Sequence, residues 1–213
     1  MYKNFGKRTI DIILSAIGLV VLAIPMLIIS VLIKCGSPGP VLFKQKRVAK
    51  GKKYFSILKF RTMRMDTPKD MRTHMLKDPD AYITKIGAFL RKTSLDEIVQ
   101  LINIFKGDMS IIGPRPALWN QYDLIAERDK YGANDIKPGL TGLAQISGRD
   151  ELPIEVKARY DGEYTEKMSL MFDIKMFFGT ILSVLKHDGV VEGGTGKMER
   201  SLRQSEKDTN HRR

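Results

Sequence analysis

The chain has a single cysteine, Cys35, so no disulfide can form within it, which suits a reducing cytoplasm. Its three histidines, His74, His187 and His211, stand far apart without ligand spacing, which argues against a zinc site. No phosphate-binding P-loop, paired-glycine dinucleotide fingerprint or nucleophile elbow occurs. No internal repeat is present. Acidic residues are outnumbered: the formal net charge is +12, which calls for an anionic partner such as a phosphorylated substrate, anionic lipid or nucleic acid. No helix-turn-helix, zinc-finger or aromatic RNA-binding motif supports the last of these, so nucleic acid is not an expected partner.

Charge is missing altogether from Ile12 to Ile33, an apolar run long enough to cross a bilayer. It is too long for a signal peptide, and no small-residue cleavage site follows it. Pro25 lies inside the run. Its ring excludes the carbonyl of Val21 and it donates no hydrogen bond, so the helix should break there. Lys3, Lys7 and Arg8 precede the run, and Lys34, Lys44, Lys46, Arg47 and Lys50 follow it. A single span would put one basic flank outside, against the positive-inside tendency, whereas a re-entrant hairpin keeps both on one face. The hairpin is the expectation, with a kinked single span as the alternative.

Beyond a Gly36-Ser37-Pro38-Gly39-Pro40 loop, Val41-Leu42-Phe43 and Tyr54 to Leu58 read as short strands joined by a turn at Lys50-Gly51-Lys52. Helices are expected near Ile83 to Arg91, Leu95 to Phe105, Trp119 to Tyr131, Ile154 to Met168 and Leu170 to Lys186. The last is very apolar but interrupted by Asp173 and Lys175, so it either lies in a membrane interface or packs as core. Ser94 and Glu97 have the spacing of a capping box, and Gly107 is a natural helix stop. The Gly113-Pro114-Arg115-Pro116 and Lys137-Pro138-Gly139-Leu140-Thr141-Gly142 segments cannot be regular helix. The polar tail 193–213 is expected to be disordered.

Asp96 and Glu97 are adjacent carboxylates at a predicted helix start. Such residues often serve only the cap and the helix dipole. The same helix end could also bind phosphate and keep a carboxylate ionised for attack on phosphorus. Arg115 is fixed between two prolines, which suits a preorganised phosphate clamp. Lys59, Arg61, Arg91 and Arg149 are the other candidate phosphate contacts. Trp119 and Tyr122 could stack on a ring or pack as core, and Cys35 could be acylated or inert.

Four segments occur in order: Lys59-Phe60-Arg61-Thr62-Met63; Arg91 to Glu97; Gly107-Asp108-Met109-Ser110-Ile111-Ile112-Gly113-Pro114-Arg115-Pro116; and Pro138 to Gln145. Together, downstream of an apolar hairpin, they resemble the bacterial sugar transferases, the monotopic phosphoglycosyl transferases that prime lipid-linked glycan assembly. The resemblance covers roughly residues 1 to 190. It implies a compact α+β, mostly helical catalytic domain at 36–192 with interfacial amphipathic helices, anchored by a re-entrant helix at 1–35 broken at Pro25. In family members a Ser-Pro pair stands at the break; here it is Ile24-Pro25, one hydroxyl fewer. Larger relatives carry extra transmembrane helices ahead of this core, and the expectation here is the small single-domain type.

The resemblance further implies an Asp96–Glu97 dyad with Asp96 as nucleophile, and a Mg²⁺ cofactor; Asp96 is the candidate metal ligand, with Glu97 as the alternative. It implies ping-pong transfer of sugar-1-phosphate from a UDP-sugar to undecaprenyl phosphate, with loss of UMP. The place expected is the cytoplasmic face of the bacterial inner membrane, among anionic lipids. A second copy of the chain is left open as a partner.

Overall fold

The computed structural model describes residues 2–67, 80–148 and 152–186. After a π-helical turn at Tyr2–Gly6 come α1 (Lys7–Val21) and α2 (Ala23–Gly36). The two are bent by 60° at Leu22. The break thus falls three residues before Pro25, because proline fits best in the first turn of α2, where its missing N–H leaves no bond unmade. Leu22 N still donates to Gly18 O and Met26 N to Leu22 O, so the bend leaves the joint bonded. No single helix among the described residues is long and apolar enough to cross a membrane; α1 and α2 together are.

Strands β1 (Leu42–Val48) and β2 (Tyr54–Phe60) form an antiparallel hairpin in full register, from Leu42 opposite Phe60 to Val48 opposite Tyr54. Both run further than the apolar residues suggested, because the polar Lys44 to Arg47 stretch continues β1. The turn at Lys50–Lys52 is as expected, with Gly51 at φ 65°. Helix α3 (Lys85–Lys92) starts at Thr84, whose Oγ1 accepts from Gly87 N.

The expected helix over Leu95 to Phe105 is two pieces, a 3₁₀ helix at Leu95–Gln100 and α4 (Leu101–Lys106). Gly107 ends α4 at φ 100°. The glycine- and proline-rich segments are not helical, but they hold two short strands that their composition does not announce. These are β3 (Ser110–Ile112) and β4 (Gly139–Thr141), paired in parallel. Gly113 and Gly139 allow the approach: a Cβ on Gly139 would lie 2.1 Å from Gly113 N. Then follow α5 (Tyr122–Asp129), shorter than expected, α6 (Leu143–Ile146), α7 (Ile154–Lys167) and α8 (Leu170–Lys186). The architecture is α+β and mostly helical.

Ile29 and Ile33 of α2 are buried against Phe60, Leu90 and Val99, so the end of the apolar hairpin is part of the core. A second cluster joins Ile112, Tyr164, Met168 and Met176. Helix α1 is pinned by polar groups instead. Asp11, 4% exposed, accepts from Ser110 Oγ and Ile111 N. Arg8 donates to the carbonyls of Ile104 and Phe105 at the end of α4, where free carbonyls favour a cation. Lys7 pairs with Asp173 of α8, which also accepts from the hydroxyls of Tyr2 and Tyr164. Helix α8 packs as core on one face, burying Asp173 and Met176, while its other face exposes Met171, Phe178 and Leu182. The outer faces of α1 and α2 expose Ile17, Val20, Ile24 and Leu27.

Candidate functional site

The acidic pair stands on the 3₁₀ helix, packed against β2. Asn103 of α4 fixes that packing: its side chain accepts from Leu58 N and donates to Ser56 O on the outer edge of β2. The end of β2 therefore delivers Lys59 to the carboxylates. Lys59 Nζ lies 2.6 Å from Glu97 Oε1 and 3.9 Å from Asp96 Oδ2.

The capping box is a correction. Ser94 is left-handed, at φ 56° and ψ 17°, and makes no side-chain cap bond. It closes α3, its N–H donating to Arg91 O. Glu97 does not reach back to the backbone. Its carboxylate accepts from Arg115 Nη2 at 2.8 Å and Nη1 at 3.4 Å, and from Lys59. Charge-assisted bonds to two cations outcompete a backbone cap. The carboxylates therefore sit in a 3₁₀ turn after a left-handed serine, not in the first turn of a long α-helix. A non-glycine residue held at positive φ is costly and is found disproportionately at functional sites.

The two carboxylates have different surroundings. Burial pushes Glu97 up, but Arg115 and Lys59 overcome it and hold the group well below the usual carboxylate range. Burial pushes Asp96 up, aided by the charge of Glu97; Lys59, Arg91 and Arg115 oppose this without cancelling it. Asp96 is 8% exposed and accepts no hydrogen bond from a described residue; Lys59, 3.9 Å from Oδ2, is its ion-pair partner. Three cations face two carboxylates, and the surplus positive charge suits a phosphorylated ligand.

Of the predicted contacts, Lys59, Arg91 and Arg115 meet at the acidic pair. Arg91 Nε donates to Thr62 Oγ1. Arg61 is not brought there: it is 4% exposed and its guanidinium donates to the carbonyls of Ser37 and Pro38, bracing the loop after α2. Arg149 lies outside the described residues. Trp119 is half-buried, with Lys46 Nζ 5.2 Å from its ring centre and 4.1 Å from that of Tyr54. Asn103 belongs to no motif, and its one signal in the sequence is a polar residue among Leu101, Ile102 and Ile104.

Among the described residues no group of three or more His, Cys, Asp or Glu stands together. Of the two carboxylates, Asp96 is the one not hydrogen-bonded to a cationic side chain, so it is the one that could serve a cation taking few protein ligands.

Fold and site define an α+β protein with a buried acidic pair set among cations, an arrangement suited to phosphoryl chemistry. The chain belongs to the bacterial sugar transferase family, whose model matches residues 2–187. Over 207 residues it is 36% identical to the UDP-galactose-lipid carrier transferase of Erwinia amylovora, covering 88% of this chain and 42% of that protein. Over 184 residues it is 40% identical to the UDP-glucose:undecaprenyl-phosphate glucose-1-phosphate transferase of Escherichia coli, covering 82% and 39%. Over 191 residues it is 38% identical to the exopolysaccharide production protein PSS of Rhizobium leguminosarum bv. phaseoli, covering 84% and 94%. The chain thus spans about two fifths of the first two relatives and nearly all of the third.

Proposed function

We propose that this chain transfers a sugar-1-phosphate from a UDP-sugar to undecaprenyl phosphate, as the first membrane step of a lipid-linked glycan. One observation carries the reading: Asp96 meets Lys59 only at 3.9 Å, beyond hydrogen-bond distance, while Glu97, its neighbour, is locked by Lys59 and Arg115. Asp96 is thereby the carboxylate left to react.

In the first half-reaction an Asp96 oxygen attacks the β-phosphorus of the UDP-sugar. The bond from that phosphorus to the bridging oxygen breaks, and UMP leaves with the electron pair. In the second, an oxygen of the lipid phosphate attacks the same phosphorus and Asp96 leaves as a carboxylate. Glu97 holds Lys59 and Arg115 in place, and Arg115 with Arg91 meets the phosphate oxygens as planar donors. Asp96 would be the protein ligand of a Mg²⁺ ion that otherwise binds substrate phosphates. Bound there, the ion would neutralise charge on the pyrophosphate.

The acceptor is a lipid, and the exposed apolar faces of α1, α2 and α8 support a membrane-seated enzyme. The bent α1–α2 pair is read as a re-entrant anchor over residues 1–35, with 36–192 forming the catalytic domain on the cytoplasmic face. The surplus of basic residues then favours anionic lipid. The tail 193–213 lies outside the described residues.

The test is intact-mass analysis of protein incubated with a panel of UDP-sugars and Mg²⁺ but no lipid acceptor. Wild type should gain one sugar-phosphate and release UMP, Asp96→Asn should do neither, and chelation should stop both. An Asp96→Asn protein that turns over normally overturns the assignment.

A further inference from the structure

The segment that carries Arg115 is bound carbonyl by carbonyl. Pro114 O accepts from Gly139 N at 2.8 Å, Arg115 O from Arg128 Nη2 at 3.0 Å, Pro116 O from Arg47 Nη1 at 2.9 Å, and Ala117 O from Val48 N at 3.0 Å. Two of these four donors belong to β4 and β1, whose backbones are set by strand pairing. The other two are arginine side chains, which must themselves be held.

Arg128 is held by a buried partner. Its Nε and Nη2 lie 2.8 and 2.6 Å from Asp161 Oδ2, with Arg128 5% and Asp161 1% exposed. Arg128 is on α5 and Asp161 on α7, so this ion pair also ties the two helices. A pair buried this deeply is weak evidence for stability, because desolvation offsets most of the attraction. Packing alone would be served as well by apolar side chains in a region that already buries Leu124 and Ala158. What an apolar pair could not do is donate to Arg115 O.

We propose that Arg128, oriented by Asp161, is a positioning residue for Arg115. It fixes the backbone from which the Arg115 guanidinium reaches Glu97 and, on the proposed activity, the substrate phosphates. The planar guanidinium is needed because it serves two acceptors at once: one edge meets the Asp161 carboxylate while Nη2 also reaches the carbonyl. A lysine in its place has one ammonium on a flexible stem and would lose one partner or share poorly between them.

The test is a double-mutant cycle with Arg128→Lys and Arg115→Lys, run on purified full-length protein in lipid nanodiscs. It is read as kcat/KM for UMP release, together with amide hydrogen exchange over residues 113–118. A misplacement of an ångström at a positioning group can cost up to about 100-fold, so Arg128→Lys should lower kcat/KM by about 10- to 100-fold. In the Arg115→Lys background the same change should cost less than about 3-fold, since the residue it positions has already been altered. Exchange over 113–118 should quicken in Arg128→Lys while α3 and α4 keep their protection. Asp161→Asn retains an acceptor of the same shape and should fall between wild type and Arg128→Lys on both readouts. Equal losses in the two Arg115 backgrounds, or unchanged exchange over 113–118, would overturn the proposal. A wild-type protein that releases no UMP would sink the activity reading alone, because hydrogen exchange decides the positioning role without substrate.

Discussion

Asp11 offers the most direct test of how the apolar hairpin is joined to the rest of the molecule. One oxygen, Oδ1, accepts from Ile111 N at 2.9 Å and from Ser110 Oγ at 3.1 Å. Asp11→Ala removes the acceptor and strands both donors between α1 and β3. Hydrogen bonds to a charged group contribute about 1.5–3 kcal/mol each, so the loss of two should come to about 3–6 kcal/mol. In a chain of this size each kcal/mol moves Tm by about 2–4 °C, so Asp11→Ala should melt roughly 10 °C lower. Asp11→Asn keeps Oδ1 as an acceptor for both donors and loses only the charge. Its cost should be about 1–2 kcal/mol, or roughly 3–6 °C. The assay is thermal unfolding by circular dichroism in one fixed lipid nanodisc at one scan rate, since irreversible melts depend on rate. Asp11→Ala melting within about 1 °C of wild type would refute the reasoning. Asn proving as harmful as Ala would show that the charge, and not the accepting oxygen, holds the helix.

Arg115→Lys should lower turnover by at least about 10-fold with little change in Tm, because a point charge cannot replace two-toothed contact with a carboxylate or phosphate; steady-state kinetics beside a melt checks it. Lys59→Met removes the largest influence that opposes burial at Asp96, so the folded pKa of Asp96 should rise, and the acid limb of the kcat/KM–pH profile should move to higher pH. The linkage at Glu97 runs the other way: its depressed pKa adds stability above the ordinary carboxylate range. That stability is lost as pH falls through the folded value, so Tm should drop less on acidification in Glu97→Gln than in wild type. Ser94, at φ 56°, should accept Gly without loss, whereas Ser94→Val should cost about 1–2 kcal/mol by calorimetry, since a left-handed conformation is strained for side chains with a Cβ. For the re-entrant reading, single cysteines near residues 3 and 50 in a Cys35→Ser background should both resist an impermeant thiol reagent in intact cells. Labelling near residue 3 alone would establish a single span.

Much of the helical framework was legible because apolar spacing records which face is buried; α7 and α8 were bounded to within a residue or so. The acidic pair was legible as a pair but not in its setting. Ser94 and Glu97 have the letters of a cap, yet the cap is decided by what else competes for Glu97. Lys59 and Arg115 arrive from 38 and 18 residues away, which no local pattern encodes. Strands β3 and β4 were hidden for a different reason. Their pairing depends on glycine as close-approach space, and in a sequence that looks the same as glycine as a breaker. Arg61 was legible as a motif residue but not in its partners. A basic residue inside a family motif suggested substrate contact, whereas it is buried on two backbone carbonyls.

The pins on α1 also bear on the order in which the chain can be completed. Asp11 waits for partners 99 and 100 residues further along, and Lys7 for one 166 residues on. At a synthesis rate of roughly 5–20 residues per second, Lys7 stays unpartnered for on the order of 10–30 s after it is made. During that interval the apolar hairpin can enter a bilayer, but three ionised side chains at its base, two basic and one acidic, lack their final partners and keep a net charge, and drawing them into hydrocarbon would be expensive. Arg8, Lys7 and Asp11 therefore act first as a brake at the water boundary and only later as fasteners. The same residues that hold the finished molecule together would limit how deep its leading segment sinks while the remainder is still on the ribosome.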